Sequence, residues 1–310
     1  MASHGGLEQV HAKVLSLLHG VGPQVLMHRW AGQGLPATRP AGGLRAETIV
    51  AGGRVIPSVL ALAQDGHREE FARVCPEALP AIVVAGDPRY DRIVASLPLR
   101  QAYRRALGVT PAQRLVFVSS TWGPRSLLGR HPDLLLRLAQ ELHARDHRIV
   151  VALHPSTWSW HGRRQVAAWH TDCMRLGVQL LPPEEGWGAA LVAADQVIGD
   201  YGSVTSYGAA LGAPVVLAAF PDDDVLPGSP SAMMGGTASR LELTRPLRAQ
   251  LDAAARPLCP EQSAVFGARL TSRPGESAAI LRRIMYGLLD LPEPAEPAVV
   301  ERLPLPEALR

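Results

Sequence analysis

Four short stretches carry side chains suited to holding an anion or moving a proton. The longest is ADQVIGDYGSVTSYGAALGAP, Ala194 to Pro214, where an apolar run ends at Gly199, Asp200 and Tyr201 occupy a turn, and Gly202, Ser203 and Val204 open a helix. The first amides of a helix have no intrahelical acceptor, so a phosphate can be held there with about 0.3–1 kcal/mol of help from the helix dipole. Gly202 would let such a group approach the backbone closely, and the Ser203 hydroxyl would add a donor. The same letters equally suit an ordinary N-cap, in which Asp or Ser closes the first turn and no ligand is needed.

The other three stretches end apolar runs in the same way. In VALHPSTWSWHG, Val151 to Gly162, His154 directly follows a buried strand, and an imidazole there can donate to a phosphate or carry a proton near neutral pH. Trp158, Trp160 and His161 beside it suit a cover or stacking group as well as plain packing. In LLHGVGPQ, Leu17 to Gln24, His19 closes a short run and is followed by glycines at 20 and 22. In SSTWGPRS, Ser119 to Ser126, the hydroxyls of Ser120 and Thr121 and the Arg125 guanidinium could meet phosphates from the side opposite Ser203. Asp222, Asp223 and Asp224 form an acidic triplet that suits either a solvated loop or a Mg²⁺ ion carried by phosphates. No GxxxxGK[ST], GxSxG or HExxH occurs.

These groups need a scaffold that brings them to one edge, and the alternation of elements predicts it. RLVFVSS (Arg114 to Ser120), RIVVAL (Arg148 to Leu153), the run ending at Leu181, QVIG ending at Gly199 and PVVLAAF ending at Phe220 read as strands. Helical patterns at 131–146, 163–176, 186–194 and 203–211 separate them. Strands alternating with helices predict a parallel, doubly wound sheet, whose ligands sit beyond the carboxyl ends of the strands. Residues 1–110 are less regular, with strand candidates at Val14 to Leu18 and Ala81 to Gly86 around a Gly/Pro-rich stretch, Gly32 to Gly53. Helices are expected near 246–256 and 275–289, before a Pro- and Glu-rich tail expected to be loose.

Composition bounds the class. With 310 residues, 47% hydrophobic and 19% charged, the chain can bury a core, and its length suits two domains at roughly 150 residues each. No apolar run approaches the ~20 residues of a membrane span or the form of a signal peptide, so a cytoplasmic location is expected. Three scattered cysteines without a CxxC predict neither a disulfide framework nor a zinc site, and the His170 to Cys173 step reads as a helix face. The net charge is +3 and Lys13 is the only lysine. Without a basic block or an RNA-binding aromatic motif, nucleic acid is not an expected partner.

The HG pair at His19, GDPRYDRI (Gly86 to Ile93), STWGPRS, the LHP at Leu153 to Pro155 and IGDYGSVTSYGAALGAPVV, taken in this order, resemble the CDP-glycerol glycerophosphotransferase family, the teichoic-acid primases and polymerases. The resemblance covers roughly residues 14 to 220. It implies an α/β, GT-B-like architecture: a partial N-terminal α/β lobe on the acceptor side (1–110), one complete Rossmann-like parallel-sheet domain for the nucleotide donor (111–290) and the tail (291–310). It implies that His19 and His154 are catalytic, His19 as general base towards an acceptor hydroxyl and His154 on the donor phosphates. The turn Asp200, Tyr201, Gly202, Ser203 then holds the donor pyrophosphate, with Ser120, Thr121 and Arg125 opposite. Gly202 stands where the family usually has a serine, Tyr207 where an aspartate commonly follows, and Arg125 is displaced from the usual spacing.

The function so implied is transfer of a glycerol-phosphate or related group from a CDP-activated donor to a hydroxyl acceptor, as in teichoic-acid synthesis for the cell wall. It needs no cofactor and no bound metal, with Mg²⁺ only by way of the phosphates. Only 18 residues precede His19, so the acceptor-side lobe is expected to be shortened, which suits an incomplete gene product, a pseudo-enzyme or a chain whose lobe is completed by a homo- or hetero-oligomeric partner. Two alternatives stay open: a nucleotide-sugar glycosyltransferase or 2-epimerase-like enzyme on the same rim, and a non-catalytic nucleotide-binding or assembly module.

Overall fold

The computed structural model describes residues 7–17, 21–22, 25–26, 40–41 and 49–309. His19 and most of the Gly/Pro-rich stretch lie outside the described residues. Among those described, the first lobe holds a parallel sheet of strands β1 (Leu15–Leu17), β2 (Val59–Leu62) and β3 (Ile82–Val84) in that spatial order. Helix α1 (Asp65–Val74) follows β2 and buries Phe71 in a small core with Ile49, Leu60, Leu62 and Ile82.

After β3 the chain turns at Gly86, whose φ of +83° and close approach to the Arg273 carbonyl both require glycine. Helix α2 (Pro88–Ala95) starts there, capped by Asp87, whose side chain accepts from the Arg89 and Tyr90 amides, with Pro88 preset for the first helical position. It leads through α3 (Arg100–Ala106) into the second sheet.

That sheet has six parallel strands: β4 (Arg114–Ser120), β5 (His147–Leu153), β6 (Gln179–Leu180), β7 (Gln196–Gly199), β8 (Val215–Leu217) and β9 (Ser239–Arg240). Their spatial order is β6-β5-β4-β7-β8-β9, so the order reverses between β4 and β7. Helices cover both faces, which is why the strands read as unbroken apolar runs. Along β4 the side chains divide by parity: Leu115 and Phe117 enter one core with Val150 and Val197, while Val116 and Val118 enter the other with Ile149, Val151 and Ile198. The crossovers are α4 (Leu127–Arg130) and α5 (Leu134–Glu141), then α6 (Pro155–His161), α7 (Arg163–Trp169) and α8 (Thr171–Arg175), then α9 (Trp187–Ala193), and α10 (Ser203–Ala210). Helices α11 (Pro230–Thr237), α12 (Leu247–Ala253), α13 (Pro260–Leu270) and α14 (Ser277–Leu289) complete the chain.

The tail is not loose. The Tyr103 hydroxyl donates to the Leu303 carbonyl at 2.7 Å, the Leu303 amide donates to the Ser96 hydroxyl at 2.9 Å, and the Leu309 amide donates to the Leu180 carbonyl beside β6 at 2.8 Å. Leu303 packs against the first core and Leu309 against the second. A Pro- and Glu-rich composition hid these two apolar anchors. No helix among the described residues is long and apolar enough to cross a membrane.

Candidate functional site

Strands β4 and β5 pair in register from Arg114↔His147 to Ser120↔Leu153, so both end at one level. The His154 amide continues the ladder by donating to the Ser120 carbonyl at 3.0 Å. On the other side of β4, Ile198 pairs with Val118, which carries Asp200 to the same edge. His154 and Asp200 therefore stand on the strands flanking β4, about 10 Å apart at ordinary strand spacing. This edge is the point where strand order reverses, where open α/β sheets bind ligands.

Asp200 braces the edge. It is 1% exposed, and its Oδ2 accepts from the Thr121 amide at 2.8 Å, the Thr121 hydroxyl at 2.7 Å and the Leu127 amide at 2.9 Å, while Oδ1 accepts from the Gly202 amide at 3.0 Å. Burial pushes its carboxyl pKa up, and the Leu127, Thr121 and Gly202 donors pull the other way. These bonds tie the loop after β4 to the start of α10, so Asp200 sets the position of the groups around it. Ser120 is likewise taken up locally: its hydroxyl donates to the Thr121 carbonyl at 3.0 Å and accepts from the Leu128 amide at 3.2 Å.

Gly202 is the N-cap of α10, and that helix opens without a side-chain cap. The Asp or Ser cap that the sequence also suited is not formed; at the start of α10 Asp200 accepts from the Gly202 amide, one residue before the helix. A Cβ on Gly202 would stand 2.6 Å from Thr121 Cγ2, which accounts for glycine at this position. Ser203 follows as the first helical residue, half-buried beside this contact. Tyr201 is half-buried; burial pushes its hydroxyl pKa up, and the Thr121 hydroxyl and the Arg125 charge lower it. Arg125, exposed on its loop, thus acts on the same edge.

His154 caps α6 with its own ring: the Ser156 amide donates to Nδ1 at 3.1 Å. With Nδ1 an acceptor, the proton of the neutral imidazole sits on Nε2. Its ring lies 6.3 Å from that of Trp122. Trp158 is a core residue at 4% exposed, whereas Trp160 is 74% exposed and stacks on Trp122. A cavity of about 610 Å³ opens beside the edge, bordered among others by Ser120, Thr121, Trp122, Trp160, His161 and Trp169.

The structure thus gathers Ser120, Thr121, Arg125, His154, Asp200, Tyr201, Gly202 and Ser203 around the ends of three adjacent strands. Asp222 pairs with Arg240 at 2.8 Å, so one carboxylate of the acidic triplet is already matched by an arginine. Among the described residues no three His, Cys, Asp or Glu side chains gather as a metal site. A buried contact not read from the sequence joins α10 to the cap of α2: Tyr207 donates its hydroxyl to Asp87 Oδ2 at 2.6 Å. Tyr207 also stacks between Tyr90 and Trp187. Asp87 was legible as a helix cap from Asp-Pro, but nothing local marks its partner 120 residues away.

No family model and no curated protein matches the chain. Among solved structures, a variant of the wall teichoic acid polymerase TagF soaked with CDPG matches with a TM-score of 0.52 at 15% identity, over 90% of this chain and 67% of that one. A further TagF structure matches with a TM-score of 0.49 at 15% identity, over 90% of this chain and 68% of that one. Anabaena Alr3699/HepE in complex with UDP and glucose matches with a TM-score of 0.38 at 16% identity, over 76% of this chain and 64% of that one. The chain spans 58% to 69% of the TagF chains. At such identity the likeness is one of fold: the six-stranded parallel sheet and the smaller first sheet give this chain the α/β, GT-B architecture of the polymerase TagF.

Proposed function

We propose that this chain is a transferase that binds a CDP-activated donor at the ends of β4, β5 and β7 and passes glycerol phosphate, or a related group, to a hydroxyl acceptor. The observation that carries the reading is the shared edge: His154, with its Nε2 proton, and the uncapped start of α10 flank a loop locked by Asp200. Phosphoryl transfer rewards such an arrangement, because it depends mainly on positioning and on stabilising charge on phosphate oxygens.

In this reading the acceptor oxygen attacks the β-phosphorus of the donor and the bond to the bridging oxygen breaks, so that CMP leaves with that electron pair. The acceptor proton passes to a base, His19 by family resemblance. His154 Nε2–H and the Ser203 amide and hydroxyl donate to the phosphate oxygens, and Arg125 adds positive charge from the opposite loop. The test is thermal unfolding with CDP-glycerol and with UDP-glucose. Saturating CDP-glycerol should stabilise the chain by about 2.7 kcal/mol at a hundredfold excess over its Kd, raising the midpoint by several degrees. Stabilisation by the UDP-sugar alone would replace this reading with nucleotide-sugar transfer.

A further inference from the structure

We infer that the cavity beside the transfer edge is a saccharide site, in which a neutral sugar lies across the Trp122 and Trp160 indoles. The cavity, about 610 Å³, falls within the roughly 300–1,000 Å³ of small-molecule sites. Its rim holds three tryptophans that the fold leaves in water: Trp122 is 49%, Trp160 74% and Trp169 53% exposed. Residues of this size normally bury their rings, so three at one opening form an aromatic surface in want of a partner.

The chemistry around them selects that partner. Among the described residues no Asp, Glu, Lys or Arg borders the cavity; its polar groups are hydroxyls such as Thr157 and the imidazoles of His161 and His170. Burial keeps the His170 pKa low, so its ring is neutral at neutral pH and both donates and accepts, as sugar hydroxyls do. A phosphate or carboxylate would find no counter-charge here. The Trp122 and Trp160 rings lie near-parallel, with centroids 6.3 Å apart and planes 18° from parallel, and both are exposed at the opening. The C–H face of a pyranose carries slight positive charge and seats on the negative face of an indole. His161 meets Trp169 edge-on at 4.8 Å in the same lining.

Ser120 and Thr121 border both the cavity and the transfer edge. Resting on the proposed function, the sugar held here is the group that presents the acceptor hydroxyl; saccharide binding itself does not depend on that reading.

Ligand-observed NMR titration of the intact chain with cellobiose and N,N′-diacetylchitobiose, with glycerol 3-phosphate as the charged comparison, tests this. At least one neutral probe should bind saturably in the millimolar range and independently of ionic strength. Trp160→Ala and Trp169→Ala, both at exposed positions, should each weaken it about tenfold or more while thermal unfolding stays unchanged. Absence of saturable binding by both neutral probes overturns the inference, as does equal affinity in wild type, Trp160→Ala and Trp169→Ala, or preferential binding of glycerol 3-phosphate that these variants abolish. CDP binding is measured in parallel: CDP bound without sugar removes only the saccharide site, and sugar bound without CDP removes only the transferase reading.

Discussion

Thr121 and Asp200 end adjacent strands, and the buried Asp200 carboxylate takes both the amide of Thr121 at 2.8 Å and its hydroxyl at 2.7 Å. Through the Leu127 and Gly202 amides the same carboxylate also holds the end of the β4 loop and the start of α10. Asp200→Ala leaves three amides without their acceptor, that of Leu127 buried and those of Thr121 and Gly202 partly so. At about 1–3 kcal/mol for each unmade buried bond, partly recovered by relaxation, the variant should lose about 3 kcal/mol or more in urea denaturation. A loss below about 0.5 kcal/mol would mean that the brace contributes little.

The close contact between Gly202 and Thr121 explains the glycine and yields a coupled pair. Gly202→Ser places a Cβ against Thr121 Cγ2 and should destabilise by about 1–3 kcal/mol. Thr121→Ser removes that methyl and keeps the hydroxyl for Asp200. The double variant should recover at least half of the loss, read as a favourable coupling in a double-mutant cycle. Strict additivity would place the strain elsewhere.

Tyr207→Phe removes the hydroxyl that reaches Asp87 at the start of α2 and should cost about 1–3 kcal/mol near neutral pH. Burial holds the Asp87 pKa above 3.8, and the Tyr207 donor lowers it. The carboxylate form needs that donor more than the acid does, so the cost should grow as pH rises through the folded-state pKa of Asp87. Unfolding of the two proteins compared across the acid range checks the sign.

Four histidines give the opposite pH dependence. Burial lowers the pKa of His67, His131, His147 and His170 from 6.5, so the folded chain binds fewer protons than the unfolded one just below that value. Their stabilising share is complete above 6.5 and is lost as pH falls through their folded values. The unfolding midpoint should therefore drop between about pH 7.5 and pH 5.5. His67→Gln should flatten the slope, because His67 Nδ1 is buried without a partner and cannot accept the charge cheaply. An unchanged slope would assign the dependence to other groups.

Legibility followed sequence distance. The strand at Arg114–Ser120 was readable to the residue, because both of its faces are buried and its apolar run is continuous. The helix expected over 163–176 breaks into α7 and α8 at His170, whose ψ of 10° lies outside the helical range. The two-residue β9 was not read, being too short for any period to show, and β2 was not read either. The edge itself was legible, since each candidate directly follows an apolar run. What each residue does there was not: the bonds from Thr121 and Leu127 to Asp200 span 79 and 73 residues. Trp122 meets Trp160 only because β4 and β5 end in register.

Calorimetric titration of the intact chain with CDP, CMP and UDP, repeated on Ser203→Ala, tests the central claim most directly. The shared edge predicts saturable heat with CDP, weaker binding of CMP and UDP, and a loss of about tenfold for CDP in Ser203→Ala, the size of one charge-assisted hydrogen bond. Negligible heat with all three nucleotides in the wild type would contradict it.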